Sequence, residues 1–277
     1  MSTTMTSETR AVTSADGTEI AYDVSGPTVV GGPSLVVVEG ALCHRAMGAA
    51  RTLRDSLSDR FAVYAYDRRA RGESGPGATA YDVQREVEDL VAVLGAAGGR
   101  PYVFAASSGA ALALEAARQG VPMERLALYE APYILDDSHA PNDPELPARL
   151  RTLVEQGRRG DAVKLFLRTV GAPAPMVAVM PVLPVWKKLT AVAHTLPYDL
   201  GLLIGFEQGT PLPDGYYAGV ETPTVVLAGG KSPQYMRNAQ AAIADQLPHG
   251  RLLTLPGQTH MIKARATAPA VVEHFLG

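Results

Sequence analysis

The chain has 277 residues, enough to bury a full hydrophobic core and to build one large α/β domain carrying an insertion. Its 47% hydrophobic and 19% charged residues are ordinary for a globular protein, and a formal net charge of −3 without any Lys/Arg run argues against a nucleic-acid or anionic-membrane partner. A single cysteine, Cys43, excludes an internal disulfide and any multi-cysteine metal site.

The first ten residues are polar and lack the apolar stretch of a signal peptide. No run approaches the ~18 apolar residues of a membrane-crossing helix, so the expectation is a soluble, cytoplasmic protein. A preference for Arg over Lys and abundant Ala are compatible with a GC-rich bacterial genome. Residues 10–24 read as two short strands joined at Asp16-Gly17, a hairpin-type pair. Ser34 to Val38 is an apolar run of strand length, as expected for a strand buried on both faces of a sheet. A helix over about 46–58 and a strand over 61–66 follow. Residues 80–97 place Val83, Val87, Leu90, Val91 and Leu94 at helical spacing. Next come a strand at 101–106, a small-residue helix at 109–119 and a strand at 126–129.

The period then changes. Residues 134–216 contain no buried-strand pattern and read as short helices broken by Pro141, Pro144, Pro173, Pro181, Pro184 and Pro197. Strand logic returns at 224–227 and 252–255, with helices near 233–246 and 265–276. The alternation predicts a mostly parallel sheet flanked by helices, with residues 1–133 and 217–277 forming the core and 134–216 a helical cap inserted into it.

Ala105-Ala106-Ser107-Ser108-Gly109, directly after an apolar strand and opening a helix, has the form of a nucleophile elbow. Such a turn needs small residues two before and two after its apex. Ser107 satisfies this with Ala105 and Gly109; Ser108, flanked by Ala106 and Ala110, fits less well. A serine hydroxyl needs a base and a carboxylate that orients the base. Of the six histidines, His139, His194, His249 and His274 read as solvated or packing residues, and His44 could line a pocket. His260 lies in the loop leaving the last strand and would meet the elbow at the carboxyl edge of the sheet. The loop after 224–227 reads Ala228-Gly229-Gly230-Lys231-Ser232, with no carboxylate, and Asp245 is a whole helix away. Glu130, at the end of the strand after the elbow helix, is therefore the expected acid, with Asp136 or Asp137 as alternatives. The backbone N–H of Ser108 and one from Gly40 or Ala41 are the expected oxyanion donors.

Asp67-Arg68-Arg69-Ala70-Arg71-Gly72-Glu73-Ser74 resembles the D-x-R-G-x-G-x-S loop of α/β-hydrolase-fold proteins, with Ala70 in place of a glycine. With Glu39-Gly40, the elbow, Gly229-Gly230 and the His260 loop, the resemblance runs nearly the whole chain in the family's order. Glu39 stands where many members carry His. An acid after the strand at 126–129 is similar to a subset that includes haloalkane dehalogenases and zearalenone-type lactonases. Dehalogenases use an aspartate nucleophile, so Ser107 favours the lactonase side, as do the Ser-Ser-Gly-Ala elbow and Pro184-Val185-Trp186.

The resemblance implies hydrolysis of an ester or lactone bond of a small apolar molecule, without metal or organic cofactor. A thioesterase, a C–C hydrolase, a biosynthetic cyclase or a non-catalytic ligand receptor of the same fold are the alternatives. Leu42, Met176, Met180 and Trp186 are the expected substrate-facing side chains, and no charged cluster in the cap points to an anionic substrate. Neither a nucleic-acid nor a membrane partner is expected, and self-association into a homodimer is left open.

Overall fold

The computed structural model describes residues 9–28, 32–77 and 80–277; most of the polar N-terminal segment lies outside them. Eight strands form one sheet: β1 (Arg10–Thr13), β2 (Glu19–Ser25), β3 (Ser34–Val38), β4 (Ala62–Tyr66), β5 (Tyr102–Ala106), β6 (Leu126–Tyr129), β7 (Thr224–Gly229) and β8 (Gly250–Leu255). Their order across the sheet is β1-β2-β4-β3-β5-β6-β7-β8. β2 runs antiparallel to both of its neighbours, and β3 to β8 are mutually parallel.

The apolar runs of the sequence are apolar because both sheet faces are covered. Side chains alternate across the pleat, so Val36, Val38, Val103, Ala105 and Leu128 pack on one face and Leu35, Val37, Phe104, Ala127 and Tyr129 on the other. The first face is closed by α2 (Val83–Ala96), α3 (Ser108–Arg118) and α9 (Gln234–Gln246); the second by α1 (Ala49–Leu57) and α10 (Ala264–Leu276). Because the central strands are parallel, their carboxyl ends share one edge, where Glu39, Asp67, Ser107, Glu130 and the loop after Leu255 all emerge.

Between β6 and β7 lie α4 (Leu146–Glu155), α5 (Arg159–Thr169), α6 (Ala174–Val179), α7 (Val185–Val192) and α8 (Leu196–Leu203). One expectation is corrected here. Val185–Phe206 is long and apolar enough, with mean hydropathy 1.2, to pass for a membrane-crossing helix. The chain instead breaks it into α7, α8 and two 3₁₀ turns, buries 56% of its most apolar window, and sets an ionised Asp199 within it. Its α8 half is the buried part.

Candidate active site

The turn from β5 into α3 places Ser107 at φ 56° and ψ −127°, a left-handed conformation rare outside glycine and concentrated at functional sites. What holds it there is crowding. Ser107 N–H donates to Tyr129 O at 2.9 Å, and a Cβ on Gly109 would come within 2.6 Å of Val38 O and Glu39 O where α3 crosses the end of β3. Ala105, where a glycine is more usual, is fully buried on β5 between β3 and β6.

His260 bridges two partners. Its Nε2 lies 3.2 Å from Ser107 Oγ and its Nδ1 lies 2.9 Å from Glu130 Oε2. With Glu130 ionised, Nδ1 carries the proton toward the carboxylate and Nε2 is left to accept from the serine hydroxyl. Glu130 is fully buried, sits at φ 48°, and its other oxygen accepts the Gly229 N–H at 2.6 Å. The His260 loop is tied down by Tyr129 Oη donating to Thr259 O (2.6 Å) and Lys231 N–H donating to Gln258 O (2.8 Å). The alternative acids lie elsewhere: Asp136 bonds Ser138 and Asn238, and Asp137 is exposed.

The expected oxyanion donors converge on the same serine. Gly40 packs against Ser107 so closely that a Cβ there would be 2.8 Å from the Ser107 Cβ. Among the described residues, the N–H groups of Ala41 and Ser108 donate to no protein acceptor and are free for a ligand. Ser108 follows Ser107 in the chain, and Ala41 follows the Gly40 that packs on Ser107. Glu39 does not stand in for a site histidine. Its buried carboxylate accepts from Ala49 N–H (2.9 Å) and Ala50 N–H (2.6 Å) and so caps α1, which has no N-cap side chain of its own. Burial pushes the Glu39 carboxyl up to about 7 despite those bonds. Burial likewise pushes the Cys43 thiol up to about 12, so it is no rival nucleophile.

Residues 33–272 match the alpha/beta hydrolase family, most of the chain. The chain belongs to the alpha/beta hydrolase family. A solved alpha/beta hydrolase from Sphaerobacter thermophilus DSM 20745 is 44% identical, with a TM-score of 0.86 over 96% of this chain and 100% of that one. An esterase from Thermogutta terrifontis (19% identity, TM-score 0.66, covering 97% and 98%) and an enol-lactonase from Burkholderia xenovorans LB400 (20%, 0.68, 98% and 100%) share the fold. No curated protein sequence matches the chain.

In this alpha/beta hydrolase the D-x-R-G-x-G-x-S loop has a structural task. Asp67 accepts from the N–H groups of Arg45 and Glu73, both at 2.9 Å, and Gly72 is forced because a Cβ would strike the Asp67 carboxylate. Arg69 forks onto Asp89 of α2 at 2.6 and 2.7 Å. Arg68 and Arg71, at variable positions of the motif, are fully buried and meet Asp199 of α8. Burial alone would raise the Asp199 carboxyl, but the Arg71 and Arg68 guanidiniums outweigh it and hold it below the ordinary value. Sequence reading missed Asp199 altogether; a lone aspartate inside an apolar stretch was the available signal.

The four expected substrate-facing side chains lie in different surroundings. The Trp186 ring packs on α5, where a Cβ on Gly160 would be 3.1 Å from Cζ2 and Lys164 Nζ lies 6.0 Å from the ring centroid. Leu42 is buried in the core at φ 58°. Met176 is exposed and Met180 half-buried on the outer part of the cap, beside exposed Val179, Val182, Leu183 and Val185. The cap is also less neutral than expected: Lys187, Lys188 and His194 join His44 around a cavity of about 380 Å³ at the seam with the core.

Proposed function

We propose that the chain is a serine hydrolase that cleaves an ester or lactone bond of an apolar small molecule through an acyl-enzyme. The observation that carries this reading is His260 placed within reach of Ser107 Oγ and the buried Glu130 at once, at 3.2 and 2.9 Å. Ser107 Oγ attacks the carbonyl carbon as its proton passes to His260 Nε2, and Glu130 orients and stabilises the imidazolium. The carbonyl oxygen, now negative, is received by the Ser108 and Ala41 N–H groups. Collapse of the tetrahedral intermediate breaks the ester C–O bond, and His260 gives its proton to the leaving oxygen. In a lactone that oxygen stays tethered to the acyl group. A water then loses a proton to His260, attacks the acyl-enzyme and restores the serine.

The exposed apolar side chains of the cap support an apolar substrate, and the serine nucleophile with an acid after β6 favours lactones over alkyl halides. A fluorophosphonate probe tests the nucleophile: the expected result is stoichiometric labelling of Ser107, lost in Ser107→Ala. Labelling elsewhere, or none, overturns the mechanism. Turnover of a panel of lactones, alkyl esters and acyl thioesters then ranks the bond cleaved, with lactones expected first. Tight ligand binding without turnover would instead favour a receptor.

A further inference from the structure

The Gly40 carbonyl and the Ala41 N–H belong to one planar peptide, so whatever fixes the oxygen aims the N–H. Arg71 Nη1 donates to Gly40 O at 2.7 Å. The same guanidinium is gripped from the cap: its Nη2 donates to Asp199 Oδ1 and Oδ2 at 2.8 and 2.7 Å, and its Nε to Thr195 Oγ1 at 3.1 Å. Asp199 reaches the second expected oxyanion donor as well. Ser108 Oγ donates to Asp199 Oδ1 at 2.7 Å and accepts from Arg68 Nη1 at 3.1 Å, while Arg68 also donates to Asp199 (2.8 Å) and to Glu39 O (3.3 Å). Every side chain in this cluster is buried. One carboxylate thus holds the Gly40–Ala41 peptide through Arg71 and the Ser108 side chain directly, and a cation at the carbonyl end of an amide strengthens its N–H as a donor.

We propose that Asp199 is a positioning residue for the oxyanion hole, acting through Arg71 on the Gly40–Ala41 peptide and directly on Ser108. The hole is thereby completed by the cap rather than by the sheet edge alone. This rests on the serine-hydrolase reading above.

The test compares Asp199→Asn with Glu86→Gln. Glu86 is the other carboxylate on Arg68, from α2, and touches neither Arg71 nor Ser108. On an activated ester, Asp199→Asn is expected to lower kcat roughly 10- to 100-fold with KM nearly unchanged, as expected for a misaimed oxyanion donor. Fluorophosphonate labelling should slow by a similar factor, and the Ala41 amide proton should move upfield in an ¹⁵N-correlated NMR spectrum. Glu86→Gln should lower Tm and leave kcat in place. If Asp199→Asn does not fold, Arg71→Lys, which cannot serve Gly40 O and Asp199 together, is expected to show the same kcat loss. An Asp199→Asn enzyme with wild-type kcat overturns the proposal, as does an equal kcat loss in Glu86→Gln. A wild type that neither labels nor turns over overturns the parent reading and this one with it.

Discussion

β6 and β7 lie side by side and end at the same edge, yet one ends in a carboxylate and the other in two glycines. Tyr129 pairs with Leu227, so Glu130 and Ala228-Gly229 face each other across the register. The glycine strand supplies the donor, Gly229 N–H, that holds the neighbouring carboxylate at 2.6 Å. Gly229 itself can carry no side chain, because a Cβ there would sit 2.7 Å from Gln258 O in the loop that carries His260. The histidine loop closes directly onto β7, and β6 presents the carboxylate that His260 meets. What the pair teaches is that the strand end crowded by the His260 loop carries glycine, while its neighbour carries the carboxylate.

The largest break in this division of labour is Glu130→Gln, which keeps the shape but removes the charge that fixes the His260 tautomer. It should lower kcat by roughly 10⁴-fold with little change in Tm. A variant retaining a tenth of wild-type kcat would mean that the acid acts from elsewhere. Smaller is Gly229→Ala, expected to push the Gln258 backbone away and displace His260. We expect a kcat loss of about 10²-fold and a lowered Tm, read by steady-state kinetics and thermal unfolding. Unchanged kcat would show that the loop yields without moving the imidazole.

The smallest effect sharpens the comparison with a third strand end. Glu39, after β3, is as buried as Glu130 but is held by the helical N–H groups of Ala49 and Ala50 rather than by an imidazole. Burial pushes its carboxyl from the ordinary 4.5 up to about 7, so the native state binds this proton more tightly than the unfolded chain does. Its contribution to stability is complete below pH 4.5 and is lost as pH rises to 7. Relative to Glu39→Gln, wild-type Tm should therefore fall across that window. A difference in Tm that does not vary with pH would refute the assignment.

Much of this was legible in linear form. β3, β5, β6 and β7 read as apolar runs because both sheet faces are covered, and the Ser107 turn announced itself by the small residues that crowding demands. The gap at 228–232 pointed to Glu130 because a missing side chain is visible in a sequence. Asp199 was not, because its partners Arg68, Arg71 and Ser108 are remote in the chain and side-chain pairing at such range leaves no period. The surroundings of Trp186 were not legible either: its ring packs on Gly160 of another helix, a pairing that leaves no period in the sequence.

The buried clasp on α8 also bears on how a substrate gets in. Lifting α8 would pull Asp199 away from Arg68 and Arg71 and break a fully buried ion-pair cluster, a cost of about 3–5 kcal/mol. It would also unstack Tyr198 from Tyr81, whose rings lie 4.0 Å apart and within 3° of parallel. α6 and α7 pack instead on α5 and on the turns beside them, and they carry the exposed apolar side chains. The cap therefore cannot open as one piece. Any opening motion is left to α6 and α7, with α8 serving as a fixed jamb.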